Sequence, residues 1–328
     1  MLYAFYVFKN RGDKVETILE YLSENIKIEI EKYLGQANKE EQIIEEIRLR
    51  ANRKMAVKIS NRNIILEHIV TIEEMLETFQ KVCEHSIYSY QKQICEGFIT
   101  IKGGHRVGLS GSCVLENGKI INVNYISSLN FRIAREKKDC SNKILNYVIT
   151  NEEVANTLIV SKPGCGKTTM LRDLLRKISS GIPEFSLSAK TCGIVDERGE
   201  IASMYKGIPQ NDIGNLSDII SNCSKAQGMQ MLIRSMAPEI IACDEIGSKE
   251  DIEAINYAMC SGVKGIFTVH GNTLEEILLN SNLKDLIEKN IIEVIIFLDE
   301  KNRGNIKKVY SLNRDKKSYI EVTNNGSK

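Results

Sequence analysis

The stretch "TLIVSKPGCGKTTMLRDLLR", residues 157–176, sets an apolar run, a glycine-rich turn ending in lysine, and an amphipathic segment in succession. A phosphate cradle requires that order. "LIV" reads as a buried strand and "KTTMLRDLLRKI" as a helix, so the turn between them aims backbone N–H groups and the helix N-terminus at one point. Gly164 and Gly166 supply permissive backbone, Lys167 can reach β- and γ-phosphate oxygens, and the Thr168 hydroxyl can ligate Mg2+. Ser161, Lys162, Pro163, Cys165 and Thr169 complete the nucleotide-binding segment, Thr169 as packing or as a helper to the helix start. Ser161 stands where G-x-x-x-x-G-K-[ST] has its first glycine, but the contacts from Gly164 to Thr168 are intact. A thiol at a helix N-terminus, as at Cys165, tends towards reactivity. An ordinary glycine turn before a core helix is the plainer alternative.

Further segments supply the acids that hydrolysis of a bound triphosphate needs. "EIIACDEIG", residues 239–247, is an apolar strand ending in two carboxylates. One acid must hold Mg2+ through its water shell, and a second must orient or deprotonate the attacking water. Asp244 fits the first task and Glu245 the second. "GIVDERGEI", residues 193–201, runs from an apolar strand into Asp196, Glu197, Arg198 and Glu200. A solvated loop would explain that charge. At the carboxyl end of a parallel strand it would instead face the nucleotide crevice, with Glu197 or Glu200 as metal-water ligand or auxiliary base. "GIFTVHG", residues 265–271, ends in a hydroxyl and an imidazole. A strand inserted between the other two would bring Thr268 and His270 out beside the γ-phosphate, whereas a lone histidine is otherwise a structural residue.

The 328 residues exceed one small core and predict about two domains. Lys and Arg (44) nearly balance Asp and Glu (43), so no global field selects nucleic acid or an acidic partner. Nine scattered cysteines, without a C-x-x-C pair, fit a reduced cytosolic chain. "MLYAFYVFKN" at residues 1–10 lacks the leader and cleavage site of a secretion signal and reads as an edge segment. No window approaches the roughly 18 apolar residues of a spanning helix. A cytoplasmic chain with peripheral membrane contact is expected.

Residues 1–137 read as an amino-terminal α+β domain. Apolar residues at helical spacing over 13–34 predict one helix closed by Gly35, and "IEEIRLRANRKMAVKIS" predicts two strands about a turn near Ala51. "TIEE" at 71–74 is a capping box opening a helix to about Tyr90. Short β runs follow, broken by "KGGH" and by "ENGK", where Asn117-Gly118 favours a tight hairpin. The basic segment "SSLNFRIAREKKDC", residues 127–140, closes the domain. Residues 138–328 then alternate helical and β patterns, as an α/β domain with a largely parallel central sheet requires, and end in a hairpin turning near Arg303-Gly304.

Taken in this order, the motifs resemble the secretion ATPase superfamily, the RecA-like hexameric motors of type II and type IV secretion and pilus systems. In that family an acidic box, a Walker B box and a histidine box follow the Walker A loop, and "DERGE", "CDEIG" and "TVHGNTLEE" stand in those places. "KGGHRVGLSG", "SLNFRIARE" and "SMAPEIIACDEIG" bring it nearest to the branch that serves endospore formation. This wider agreement runs from about Tyr88 to Gly271.

The resemblance implies a RecA-like P-loop domain that uses ATP and Mg2+. Lys167 and Thr168 would serve phosphate and metal, Asp244 the metal water, Glu245 the base and His270 the histidine box. It also implies a homo-oligomer, hexameric when active, that docks on membrane-bound sporulation channel proteins from the mother-cell cytoplasm. There it would energise or assemble the channel to the forespore. Arginines of the amino-terminal domain or linker complete the site in such motors. Arg132 and Arg135 occupy a suitable region and Arg234 is a further candidate, although a solvated basic linker also describes the first two. Walker B departs from the family in reading Asp-Glu where Gly-Glu is common.

Two other classes compete. A RecA-like motor stimulated by nucleic acid draws on the basic run and on "GLSG" at 108–111, against neutral net charge and no tryptophan. A non-hydrolysing ATP switch would not need Glu245.

Overall fold

The computed structural model describes residues 14–36, 43–60 and 62–323, so the apolar start at residues 1–10 lies outside it. Contacts divide the chain into two compact units: Met1–Arg135 with Met204–Gln210, and Glu136–Ser203 with Asn211–Lys328.

In the first unit, α1 (Lys14–Leu19) and α2 (Glu24–Gln36) replace the single expected helix. The chain turns between them, where Tyr21 and Leu22 are buried and the Ser23 N–H donates to Thr78 Oγ1 at 3.1 Å. Gly35 continues α2 instead of capping it. β1 (Ile44–Arg50), β2 (Arg53–Ile59) and β3 (Arg62–Val70) lead to α3 (Ile72–Val82), capped by Thr71 and Glu74 as the capping box predicts. That helix stops eight residues short of the expected Tyr90, because Glu84 and His85 both take left-handed backbone (φ 49° and 59°). α4 (Gln91–Cys95), β4 (Phe98–Ile101), β5 (His105–Glu116) and β6 (Lys119–Arg132) complete the unit. Asn117 and Gly118, with φ of 50° and 74°, form the tight β5–β6 turn. The antiparallel order is β3-β2-β1-β6-β5-β4, and the helices cover a core that includes Ile26, Ile47, Val57, Phe79 and Phe131.

Residues 204–210 join this unit through their own contacts. The Tyr205 hydroxyl donates to Glu84, Lys206 pairs with Glu84 at 2.5 Å, and Gln210 Oε1 accepts the Gly103 N–H at 2.8 Å.

The second unit begins with α5 (Leu145–Val148) and the small hairpin β7 (Ile149–Thr150) and β8 (Glu153–Val154). β9 (Thr157–Ser161), α6 (Lys167–Ser180), β10 (Cys192–Asp196) and β11 (Ser217–Ser221) follow. Next come α7 (Lys225–Met236), β12 (Ile240–Cys243), α8 (Lys249–Cys260) and β13 (Lys264–His270). α9 (Leu274–Leu279), α10 (Ser281–Glu288), β14 (Val294–Leu298), β15 (Ile306–Asn313) and β16 (Ser318–Glu321) end it. The sheet order is β11-β10-β12-β13-β9-β14-β15-β16, parallel through β14 and antiparallel beyond. β13 therefore lies between the strands that precede the phosphate loop and the paired acids.

Packing sets the positions of the site residues. On α6, Met170, Leu171, Leu174, Leu175 and Ile178 form one buried stripe, each worth about 1.5–3 kcal/mol. α7 lies close on β10 because residue 228 is glycine: a Cβ there would stand 2.5 Å from Val195 Cγ1. That approach brings Lys225, one turn earlier, to Glu197.

Asp173 of α6 is buried and ties the helix to the chain entering this unit. It accepts from the Ser141 N–H (2.8 Å), the Ser141 hydroxyl (2.6 Å), the Asp139 N–H (3.0 Å) and Arg176 (2.7 Å). Burial pushes its carboxyl up, but the bonds from Ser141, Arg176 and Asp139 outweigh that and hold it below the ordinary 3.8. A folded-state value below the unfolded one stabilises fully above about pH 4, and this contribution disappears as pH falls through the folded value. Asp173→Asn should therefore cost about 2 kcal/mol near neutral pH and less at pH 3, where the carboxyl of the unfolded chain is already mostly protonated. Denaturant titrations at both pH values check this; an equal loss at each would refute it.

Candidate nucleotide site

β9 ends at Ser161, which pairs in register with His270 of β13 and turns its buried hydroxyl onto the Lys162 carbonyl at 3.0 Å. A residue held in extended sheet backbone needs no glycine, which accounts for the serine at that position. The sharp turn falls later, at Gly164 (φ 77°) and Gly166 (φ 100°), where a side chain would be strained. The β14–β15 connection buttresses the loop: the Gly304 N–H donates to the Cys165 carbonyl at 2.9 Å, and Lys162 pairs with Glu300 at 2.8 Å. Cys165 is buried, its sulfur 3.9 Å from the Pro163 carbonyl, so the loop covers the thiol that its helix-terminal position marked as reactive. Thr169 is half-buried, and its carbonyl accepts from the Cys140 thiol.

Lys167 opens α6 with its side chain turned back into the loop. Its Nζ lies 2.8 Å from the Ser161 carbonyl, 3.2 Å from that of Lys162 and 3.0 Å from His270 Nδ1. Burial pushes its ammonium down from the ordinary lysine value, against the nearby charges of Asp244 and Glu245. The donors of a phosphate cradle are all present, and a Cβ on Gly164 would meet nothing within 4 Å, so the loop is open on that side.

The Thr168 hydroxyl donates to Asp244 Oδ2 at 2.5 Å, which joins the two groups expected to share Mg2+. An oxygen-only pair of hydroxyl and carboxylate suits that hard cation. Burial pushes the Asp244 carboxyl up, the Thr168 and Thr268 hydroxyls oppose it, and the charges of Glu245 and Glu200 add to the rise. A divalent cation would reverse that cost.

Thr268 organises both acids. Its hydroxyl donates to Asp244 Oδ1 and accepts the Glu245 N–H at 2.9 Å, while its carbonyl takes the Ile246 N–H at 2.9 Å. Glu245 sits in left-handed backbone, φ 54°, at the point where the two carboxylates diverge. Its Oε1 is 2.8 Å from His270 Nε2, and its Oε2 pairs with Arg198.

The "DERGE" acids separate into two roles. Asp196 is buried and accepts the N–H groups of Glu200 (2.8 Å), Ile201 (3.0 Å) and Ala202 (2.8 Å), which makes it a cap of the turn. Glu197 reaches the cleft that Glu200, Asp244 and Glu245 also line, but its carboxylate pairs with Lys225 at 2.5 Å. Arg172 of α6, not anticipated from sequence, holds the turn by donating to the carbonyls of Ile201 (2.7 Å) and Glu200 (2.5 Å).

The candidate arginines belong to other elements. Arg132 ends β6 and Arg135 donates to the carbonyls of Ile43 and Ile44, at 3.2 and 3.1 Å, so both belong to the amino-terminal unit. Arg234 is exposed in the last turn of α7, which leads into the start of β12, whereas the paired acids follow the end of that strand.

A family model described as Sporulation stage III, protein AA matches residues 12–317. Stage III sporulation protein AA of Bacillus subtilis (strain 168) is 38% identical over 268 residues, spanning 81% of this chain and 86% of that protein. Among solved structures, the Legionella pneumophila ATPase DotB aligns with a TM-score of 0.55 and 12% identity over 83% of this chain and 78% of its own. The pilus retraction motor PilT, solved with bound ADP, aligns at 0.53 and 18% identity over 84% and 76%. At such identities the likeness is one of fold: an antiparallel-sheet domain followed by a mostly parallel one.

Proposed function

The chain belongs to the sporulation stage III protein AA family, and from that premise we propose that it is a P-loop ATPase of the secretion-motor type. Its work would be to energise or assemble the channel between mother cell and forespore. The observation that carries the reading is the meeting of Lys167, Thr168, Asp244, Glu245 and His270 at the carboxyl ends of three adjacent parallel strands.

Residues 161–169 would hold the phosphates of ATP, with Lys167 leaving its carbonyl partners for phosphate oxygens. Thr168 and Asp244 would hold Mg2+, which when bound neutralises charge on the β- and γ-phosphates. Glu245 takes the proton of the attacking water, and His270 fixes that carboxylate. Glu197, drawn aside by Lys225, serves as an auxiliary acid. Charge on the transition state would come from a neighbouring copy, with exposed Arg132 a better donor than Arg135, whose guanidinium is already bonded to backbone.

No helix among the described residues is long and apolar enough to cross a membrane. On the family reading, membrane-bound channel proteins would be its partners. Assembly is then part of the mechanism. The purified chain should gain mass, up to a hexamer, with a non-hydrolysable ATP analogue, and turnover per chain should rise with chain concentration. A strict monomer in both states with concentration-independent turnover would refute the motor.

A further inference from the structure

We propose that Arg198 masks Glu245 and gives it up when the terminal phosphate of a nucleoside triphosphate takes its guanidinium. This rests on the reading of Glu245 as the base. Both oxygens of that carboxylate are occupied, Oε2 by Arg198 Nη1 and Oε1 by His270 Nε2 at 2.8 Å. Proton uptake from water there would break a charge-assisted bond.

The two partners differ in exposure and in chemistry. His270 is held from its other side: Lys167 has only donors to offer its Nδ1, so Nδ1 accepts and Nε2 carries the proton towards Glu245. Arg198 stands at the tip of the turn after β10, its side chain 66% exposed. Asp196 and Arg172 secure that turn through residues 200–202. Lys225 is no rival for the role. Its side chain is 14% exposed and lies between Glu197, at 2.5 Å, and Asp251, at 4.0 Å.

Lys167, His270, Glu245 and Arg198 thus form a continuous chain of contacts from the phosphate loop to the acidic turn. A triphosphate that takes Lys167 at one end and Arg198 at the other opens it from both sides and leaves Glu245 to a water. A guanidinium suits the second task, because its planar fork matches phosphate oxygens. ADP, lacking the terminal phosphate, leaves the latch closed.

The test uses the full chain as wild type, Arg198→Gln, Arg198→Lys and Glu245→Gln, with calorimetric binding of ADP and of a non-hydrolysable ATP analogue alongside steady-state hydrolysis. Arg198→Gln should bind ADP as wild type does but the triphosphate analogue about fivefold more weakly, the worth of one half-exposed ion pair. Its KM should rise to match while kcat rises about twofold, since Glu245 no longer has to shed a cation. Arg198→Lys, which keeps the charge, should recover most of the analogue affinity. Unchanged analogue affinity in Arg198→Gln overturns the latch; so does a large fall in kcat at constant affinity, which would make Arg198 a transition-state residue. If Glu245→Gln hydrolyses ATP at the wild-type rate, the base assignment fails and the latch with it. If Glu245→Gln is inactive while Arg198→Gln matches wild type throughout, the latch alone fails.

Discussion

Glu245→Gln should lower ATP turnover by about 1,000-fold while nucleotide affinity stays within about threefold of wild type. The substitution keeps shape and removes the capacity to accept a proton. Its amide oxygen can still receive the His270 Nε2–H, but its NH2 now faces the Arg198 guanidinium, so that contact opens. The groups proposed to bind phosphate are untouched, because Lys167, Thr168 and the loop do not depend on the Glu245 side chain for their positions. Single-turnover hydrolysis and calorimetric binding measured on the same preparation check both halves. Glu197→Gln is the informative comparison: its carboxylate is paired with Lys225, so a loss of only a few fold is expected. Equal, large losses in both variants would mean that the acids act as one unit, and wild-type turnover in Glu245→Gln would remove the proposed base.

Much of this site was legible because its parts are local. The phosphate loop is a contiguous run whose strand, glycines, lysine and helix each have one physical task, so the order of residue types is itself the evidence. The same holds for Asp244 and Glu245 after an apolar strand. Thr268 and His270 reach the paired acids only if β13 lies between β12 and β9, and the topology meets that condition.

What stayed hidden depends on the path of the backbone and on backbone partners, which side-chain pattern does not report. Asp196 and Glu197 are neighbours of similar chemistry and both line the cleft, yet one is a buried cap for three N–H groups and the other is paired with Lys225. Only the path of the turn separates them. Arg172 is visible on α6, but its acceptors are backbone carbonyls, which carry no signature in side-chain pattern. The support of the phosphate loop by Gly304 is likewise a backbone contact between segments far apart. The two misplaced helix ends have a related cause. Periodicity reports which face is apolar, not where the chain turns: Tyr21, Leu22 and Ser23 stay buried through the turn between α1 and α2, and Val82 and Cys83 are buried up to the left-handed pair Glu84 and His85 that ends α3.

Lys167→Ala should weaken MgATP binding by about 100-fold or more, and turnover should fall with it because the site no longer fills. The magnitude follows from removing charge-assisted bonds to phosphate, each worth about 1.5–3 kcal/mol, where about 1.4 kcal/mol is tenfold in affinity. The structure adds a reason why the loss should exceed that of a surface lysine. The ammonium is buried and already rests against two loop carbonyls and His270, so moving onto phosphate takes a short displacement of a charge whose desolvation is largely complete. Burial also pushes this amine down, which favours exchanging neutral carbonyl partners for an anion. Alanine leaves the loop backbone free to fold, since Gly164 and Gly166 set the turn and Gly304 braces it. Thermal unfolding of the variant should therefore stay close to wild type while calorimetric binding collapses. Wild-type affinity in Lys167→Ala would show that the nucleotide does not lie in this loop, and the roles given to Thr168, Asp244 and Glu245 would fall together.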